Sequence, residues 1–131
     1  MNDQERKDLV QYRIEKARQT FNEVALHIEN GLWNTAVNRL YYACYYAVTA
    51  LLVSNKIKAT THAGVRQMFG LHFIKTGFIE RELGKFYSDI FDMRQVGDYE
   101  DYFDFGEEDV QNLLAPADEL ISRIEGLLDA K

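Results

Sequence analysis

Residues 33–53, WNTAVNRLYYACYYAVTALLV, constrain the fold more than any other part of the chain. The stretch contains neither Gly nor Pro, and at helical spacing it separates into three faces. Val37, Leu40, Cys44, Val48 and Leu51 form an aliphatic stripe. Ala36, Ala43, Ala47 and Ala50 form a second, with only methyl groups to hold a neighbouring helix away. Asn38, Tyr42, Tyr45 and Thr49, with Arg39 and Tyr46 beside them, make an aromatic and hydrogen-bonding third. On a surface, each exposed Leu or Val would forfeit roughly 1.5–3 kcal/mol of burial, so a helix this apolar around its circumference belongs at the centre of a bundle.

The rest of the chain reads as helices that wrap this one. Over residues 3–30, Val10, Ile14, Ala17, Phe21, Val24 and Ile28 recur at steps of four and three, and Asn30-Gly31 suits a left-handed cap. A connection this short makes the first two helices antiparallel neighbours. Thr60 or Thr61 can cap a shorter helix over 62–73 that carries Val65, Met68, Phe69 and Phe73, and Lys75-Thr76-Gly77 is a turn. A fourth helix is expected over 79–96, stopped by Gly97, with Arg94 prolonging its apolar stripe as a charge. Residues 98–109, DYEDYFDFGEED, read as an ordered loop, since the rings need somewhere to pack. The last helix is expected over 107–128, its acidic start matched to the helix dipole. Pro116 should bend it or delay its effective start, because an interior proline costs roughly 3 kcal/mol.

Composition fits one all-α domain over residues 1–131: 47% of the residues are hydrophobic and 13% aromatic, enough for one core. The single Cys44 has no partner for an internal disulfide and no metal-ligand spacing. MNDQERKD lacks the apolar core of a signal peptide, and the longest apolar run is too short to span a bilayer. The expectation is a cytoplasmic protein with no membrane contact, no metal and no cofactor. A net charge of −6 argues against nonspecific attraction to nucleic acid, so any RNA contact must be local or shared with a partner.

Phosphate loops, HExxH, Cys pairs and GxSxG are absent, which leaves few residues to carry chemistry. His27 reads as a surface residue and His72 as a packed or half-exposed one. His62 opens the third helix, where the positive dipole end would depress its pKa and leave a neutral imidazole; a capping or hydrogen-bonding role is the plainer reading. Tyr41, Tyr42, Tyr45 and Tyr46 fill the core, or else the Tyr42/Tyr45/Tyr46 side, with Arg39 and Asn38, faces a cleft or the same helix of a second subunit. Arg94 is the best candidate. It either forms an internal ion pair with Asp98 or Asp101, or is held by Asp98 and Tyr99 near a cleft, ready for a phosphate or a partner's carboxylate.

The succession RLYYACYYAVTALL, THAGVRQMFGLHFIKTG and RELGKFYSDIFDMRQVGDYED resembles the HEPN domain superfamily, in its small single-domain prokaryotic branch of UPF0332-like proteins. The resemblance implies an up-and-down antiparallel helical bundle of four long helices plus a shorter fifth, usually a homodimer. Many such proteins pair with a minimal nucleotidyltransferase as toxin and antitoxin, the HEPN member being an RNA-cleaving toxin. There, an Arg followed after four to six residues by His lies near the dimer interface, and two copies build one composite site that cleaves RNA without metal. Arg94 matches that arginine, but Tyr99 stands where a four-residue gap would put the histidine, and no His follows Arg94. A tyrosine near pKa 10 is poorly matched to acid–base work at neutrality, which counts against ribonuclease activity. In some pairs the partner attaches AMP to a HEPN tyrosine just beyond the histidine; Tyr99 and Tyr102 lie in that region, at a different spacing.

The expected function is therefore an interaction module in a toxin–antitoxin-type pair with a nucleotidyltransferase. The alternatives are a ribonuclease using Arg94 with Tyr99 or His62, and a nucleotide-binding bundle. The binding residues on these readings are Arg39, Tyr42, Tyr46, His62, Asp98 and Tyr102.

Overall fold

A computed structural model describes residues 1–99 and 103–130. Five α-helices follow in order: α1 Asp3–Glu29, α2 Trp33–Ser54, α3 His62–Phe69, α4 Arg81–Tyr99 and α5 Glu107–Asp129. There is no strand among the described residues. α2 packs against each of the other four helices. It buries twelve residues, from Ala36 to Leu52, whereas the longer α1 buries only Ala17, Thr20 and Val24, which makes α2 the central rod. Both the alanine stripe and the aliphatic stripe with Cys44 are closed to solvent.

The helix ends follow from local chemistry. The Asn2 side chain caps α1 by accepting the Glu5 N–H at 2.8 Å, and Gly31 turns the chain with a left-handed φ of 67°. Thr61 caps α3, its hydroxyl accepting the Gly64 N–H at 2.9 Å. The expected third helix continues past Phe69 as one π-helical turn, Gly70–Ile74, which Lys75 closes by donating to the Gly70 carbonyl.

Three boundaries differ from expectation. α4 starts at Arg81, not Ile79, because the Glu80 carbonyl receives the first helical N–H groups from Leu83 and Gly84. Ile79 is still buried, in the connection before the helix. Gly97 does not stop α4, which runs on through Asp98 to Tyr99. An added Cβ at Gly97 would stand 2.7 Å from the Phe105 ring, so this glycine serves close packing rather than termination. The expected 98–109 loop is correspondingly shorter at both ends, and its Asp101 and Tyr102 lie outside the described residues.

The chain returns through Phe105, whose ring is buried edge-on to Phe103. Asn34 clamps this return twice, donating to the Phe103 carbonyl at 3.1 Å and accepting the Phe105 N–H at 2.8 Å. Gly106 N–H donates to Asp109 at 2.8 Å to open α5, which is helical from Glu107 straight through Pro116. The delayed start does not occur. The carbonyl that proline leaves without a helical donor belongs to exposed Asn112, where water can take it, while Leu113, Ala117, Leu120 and Ile121 hold both flanks in the core.

Candidate functional site

Three elements converge on Tyr41 of α2. From the start of α3, His62 brings Nδ1 to 2.7 Å from the Tyr41 hydroxyl. From the last turns of α4, the Arg94 guanidinium lies over the Tyr41 ring at 4.8 Å, with Tyr42, Phe91 and Tyr99 around it at about 6 Å. Arg94 is 5% exposed, yet its Nε has no hydrogen-bond partner among the described residues. Among the described residues the nearest carboxylate, Asp98 one turn along, stands 3.8 Å away, too far for a hydrogen bond, and it already accepts from Asn38 at 2.9 Å. Among the described residues, aromatic faces therefore do much of the work of holding this charge, through their quadrupoles, and leave a donor without a partner.

His62 is held as tightly as the arginine. Its ring stacks on Tyr45 at 4.5 Å and meets Tyr42 edge-on at 5.7 Å. Burial, and then the positive charge of Arg94, lower its pKa below the ordinary 6.5, so the imidazole is neutral at pH 7. The sequence suggested the helix dipole as the cause; the structure supplies desolvation and a guanidinium from another helix instead. Burial pushes the Tyr41 hydroxyl up to about 12, partly opposed by the Tyr87 hydroxyl and then by Arg94, and it also raises Tyr45. Tyr41 thus stays a protonated hydrogen-bonding group throughout the physiological range.

Of the residues singled out in the sequence, Arg94, His62, Tyr42, Asp98 and Tyr99 meet here. Tyr99 is 74% exposed at the end of the described part of α4. Arg39 adjoins the cluster, with its guanidinium 5.0 Å over the Tyr42 ring and its own Nε buried without a partner among the described residues. Tyr46 turns towards α1, where Lys16 sits 5.5 Å over its ring. Tyr102 lies outside the described residues. Asn34, Thr35, Asn38 and Asp98 line a recess of about 190 Å³ beside the cluster. A larger groove, of about 1230 Å³ between α1 and α5, takes in none of these candidates. Of the other histidines, His27 is half-buried on α1 and His72 is exposed in the π-helical turn.

Tyr41 was missed as a site residue. Its signal was present, since it lies four residues before Tyr45 and three after Asn38, but a fully buried tyrosine reads as core until its hydroxyl is seen to reach His62. No group of three His, Cys, Asp or Glu side chains suited to a metal occurs among the described residues. What the cluster offers among the described residues is a caged cation with an unpartnered donor, a neutral imidazole and ring faces, a set suited to an anionic oxygen and a planar group.

The HEPN domain model matches residues 10–127, nearly the whole chain. Over 129 residues the chain is 36% identical to a "UPF0332 protein" of Thermotoga maritima, covering 98% of this chain and 96% of that one. It is 32% identical over 119 residues to a Methanocaldococcus jannaschii protein named "Putative toxin MJ0605", covering 91% and 88%. A second protein of that organism, "Putative toxin MJ0142", is 33% identical over 101 residues, 77% of this chain and 69% of its own. The chain belongs to the HEPN domain family.

Proposed function

We propose that this chain is the HEPN half of a toxin–antitoxin-type pair, a cytoplasmic homodimer of up-and-down bundles whose second half is a minimal nucleotidyltransferase. The observation that carries the reading is Arg94: a guanidinium almost wholly buried, with a donor that has no partner among the described residues, beside an exposed tyrosine at the end of the described part of α4. Such a group suits a carboxylate or phosphate brought by a partner. The toxin names of the two M. jannaschii relatives favour the same class. No helix among the described residues is long and apolar enough to cross a membrane, which accords with a protein that meets its partner in solution.

Co-expression with a small nucleotidyltransferase encoded beside this chain tests the pair. Stable co-purification, and relief by the partner of any growth arrest this chain causes, are the expected results. Failure of the two to associate, with no effect on growth, overturns the proposal.

A second reading, a metal-independent ribonuclease, gains support from His62. No histidine follows Arg94 in the sequence, but folding brings one to the same tyrosine. Cleavage of RNA by purified protein, abolished by Arg94→Ala, is the result that would place this reading first.

A further inference from the structure

We infer that the groove between α1 and α5 seats the α1 helix of a second copy, the two helices running antiparallel about a two-fold axis near Gln11. The inference rests on the homodimer of the proposed function and names the face that makes it. At about 1230 Å³ the groove exceeds the roughly 300–1,000 Å³ of a small-molecule pocket. Its lining runs along α1 from Asp3 to Glu23, about 30 Å of helix, which is the scale of a protein element. Arg18 fixes its width by donating to Asp118 and Glu125 of α5 at 2.6 Å each.

The groove exists because α1 is covered over only part of its length. Its apolar stripe begins at Val10, but the buried residues, Ala17, Thr20 and Val24, all fall in the second half of the helix. Ile14 and Leu128, which line the groove, pack against the core, whereas Val10 stays half-buried and does not join it. One end of a periodic apolar face is thus left open by the single chain.

The charges select the occupant. Acidic and basic side chains line the groove in near-equal number, which gives neither a polyanion nor an anionic membrane a field to follow. Lys7 and Glu15, both exposed, have no ion-pair partner among the described residues. They stand four residues before and four residues after Gln11, so the three share one face of the helix. A parallel second helix would set Lys7 on Lys7 and Glu15 on Glu15. An antiparallel one centred on Gln11 sets each Lys7 against Glu15 of the other copy, twice by symmetry. Val10 and Ile14 of both copies then meet beside the axis, an apolar centre between two ion pairs. The groove shares no residue with the Arg94 cluster, so a copy seated here leaves that cluster to the other partner.

The test measures the mass of the full chain by sedimentation over a concentration series. The wild-type protein should be a dimer. Lys7→Glu and Glu15→Lys should each weaken it by about tenfold, because either change turns both ion pairs into repulsions. The double variant restores opposite charges, and its dissociation constant should return to within about threefold of wild type. Val10→Arg should weaken the dimer by about 100-fold with its melting temperature near wild type. Gln11→Cys should cross-link two copies under mild oxidation, since Cys44 is buried, while exposed Lys85→Cys on α4 should not. A dimer indifferent to all these changes overturns this inference and leaves the homodimer standing. Loss in the single variants without recovery in the double variant overturns the antiparallel pairing. A wild-type protein that stays monomeric throughout the series overturns the homodimer as well. A dimer that survives Val10→Arg while binding of the nucleotidyltransferase is lost gives the groove to that partner and sinks the inference too. If a charge variant fails to fold, the Gln11→Cys cross-link decides.

Discussion

The two sides of α2 obey different rules. On one, Ala36, Ala43, Ala47 and Ala50 alternate with Val37, Leu40, Cys44, Val48 and Leu51, all closed to solvent. Nothing polar on that side needs a partner except the Cys44 thiol, which burial pushes up to about 12 and keeps protonated. On the other, Tyr41 is as buried as any leucine, yet it meets a neutral histidine and the Arg94 guanidinium, whose Nε has no partner among the described residues. The first side maximises contact. The second holds buried donors that have no partner among the described residues, where an unpaired buried donor costs about 1–3 kcal/mol.

Substitutions should separate the two sides by sign as well as by size. Leu40→Ala, on the packed side, should lower stability by about 2–5 kcal/mol in urea unfolding, since the cavity cannot fully collapse among helices on every flank. Gly97→Ala should cost about 1–3 kcal/mol in the same unfolding measurement, because its methyl group meets the buried Phe105 ring; a neutral result would mean that the ring gives way freely. Arg94→Met should behave in the opposite way. Replacing a guanidinium that lacks full pairing with an apolar chain of similar length should leave stability within about 1 kcal/mol of wild type or raise it, while abolishing partner binding or cleavage. A large destabilisation would make Arg94 an ordinary structural residue and erase the contrast.

The smallest effect concerns pH. The folded state binds a proton at His62 less readily than the unfolded chain does. The associated stability is therefore complete above 6.5 and is lost as pH falls through the window below it. Melting temperatures recorded from about pH 7 to about pH 5 should decline for the wild type and decline less for His62→Gln.

The helices were legible in the sequence because their signals are local and periodic. Ile14 to Ile28, Val37 to Leu51 and Val110 to Ile124 each state a face, and the structure uses those faces. Gly97 was misread for the opposite reason. A glycine near a helix end looks like a terminator unless one knows that Phe105 will press against it, and that depends on how the chain returns to Asn34. The site was half legible. Arg94 announced itself as a charge on an apolar stripe, but its relation to His62 runs through a tyrosine on a third helix, and no spacing along the chain encodes that meeting.

Asp98 makes an anion's approach to Arg94 a contest. Its carboxylate, steadied by Asn38, already leans towards the same cation without closing on it. A phosphate arriving there would be a rival rather than a guest in an empty seat, and it would have to outbid a resident on the same helix. Asp98→Asn should therefore strengthen the grip on small anions, so this residue works as a restraint on occupancy, keeping the arginine reserved for ligands that bring additional contacts of their own.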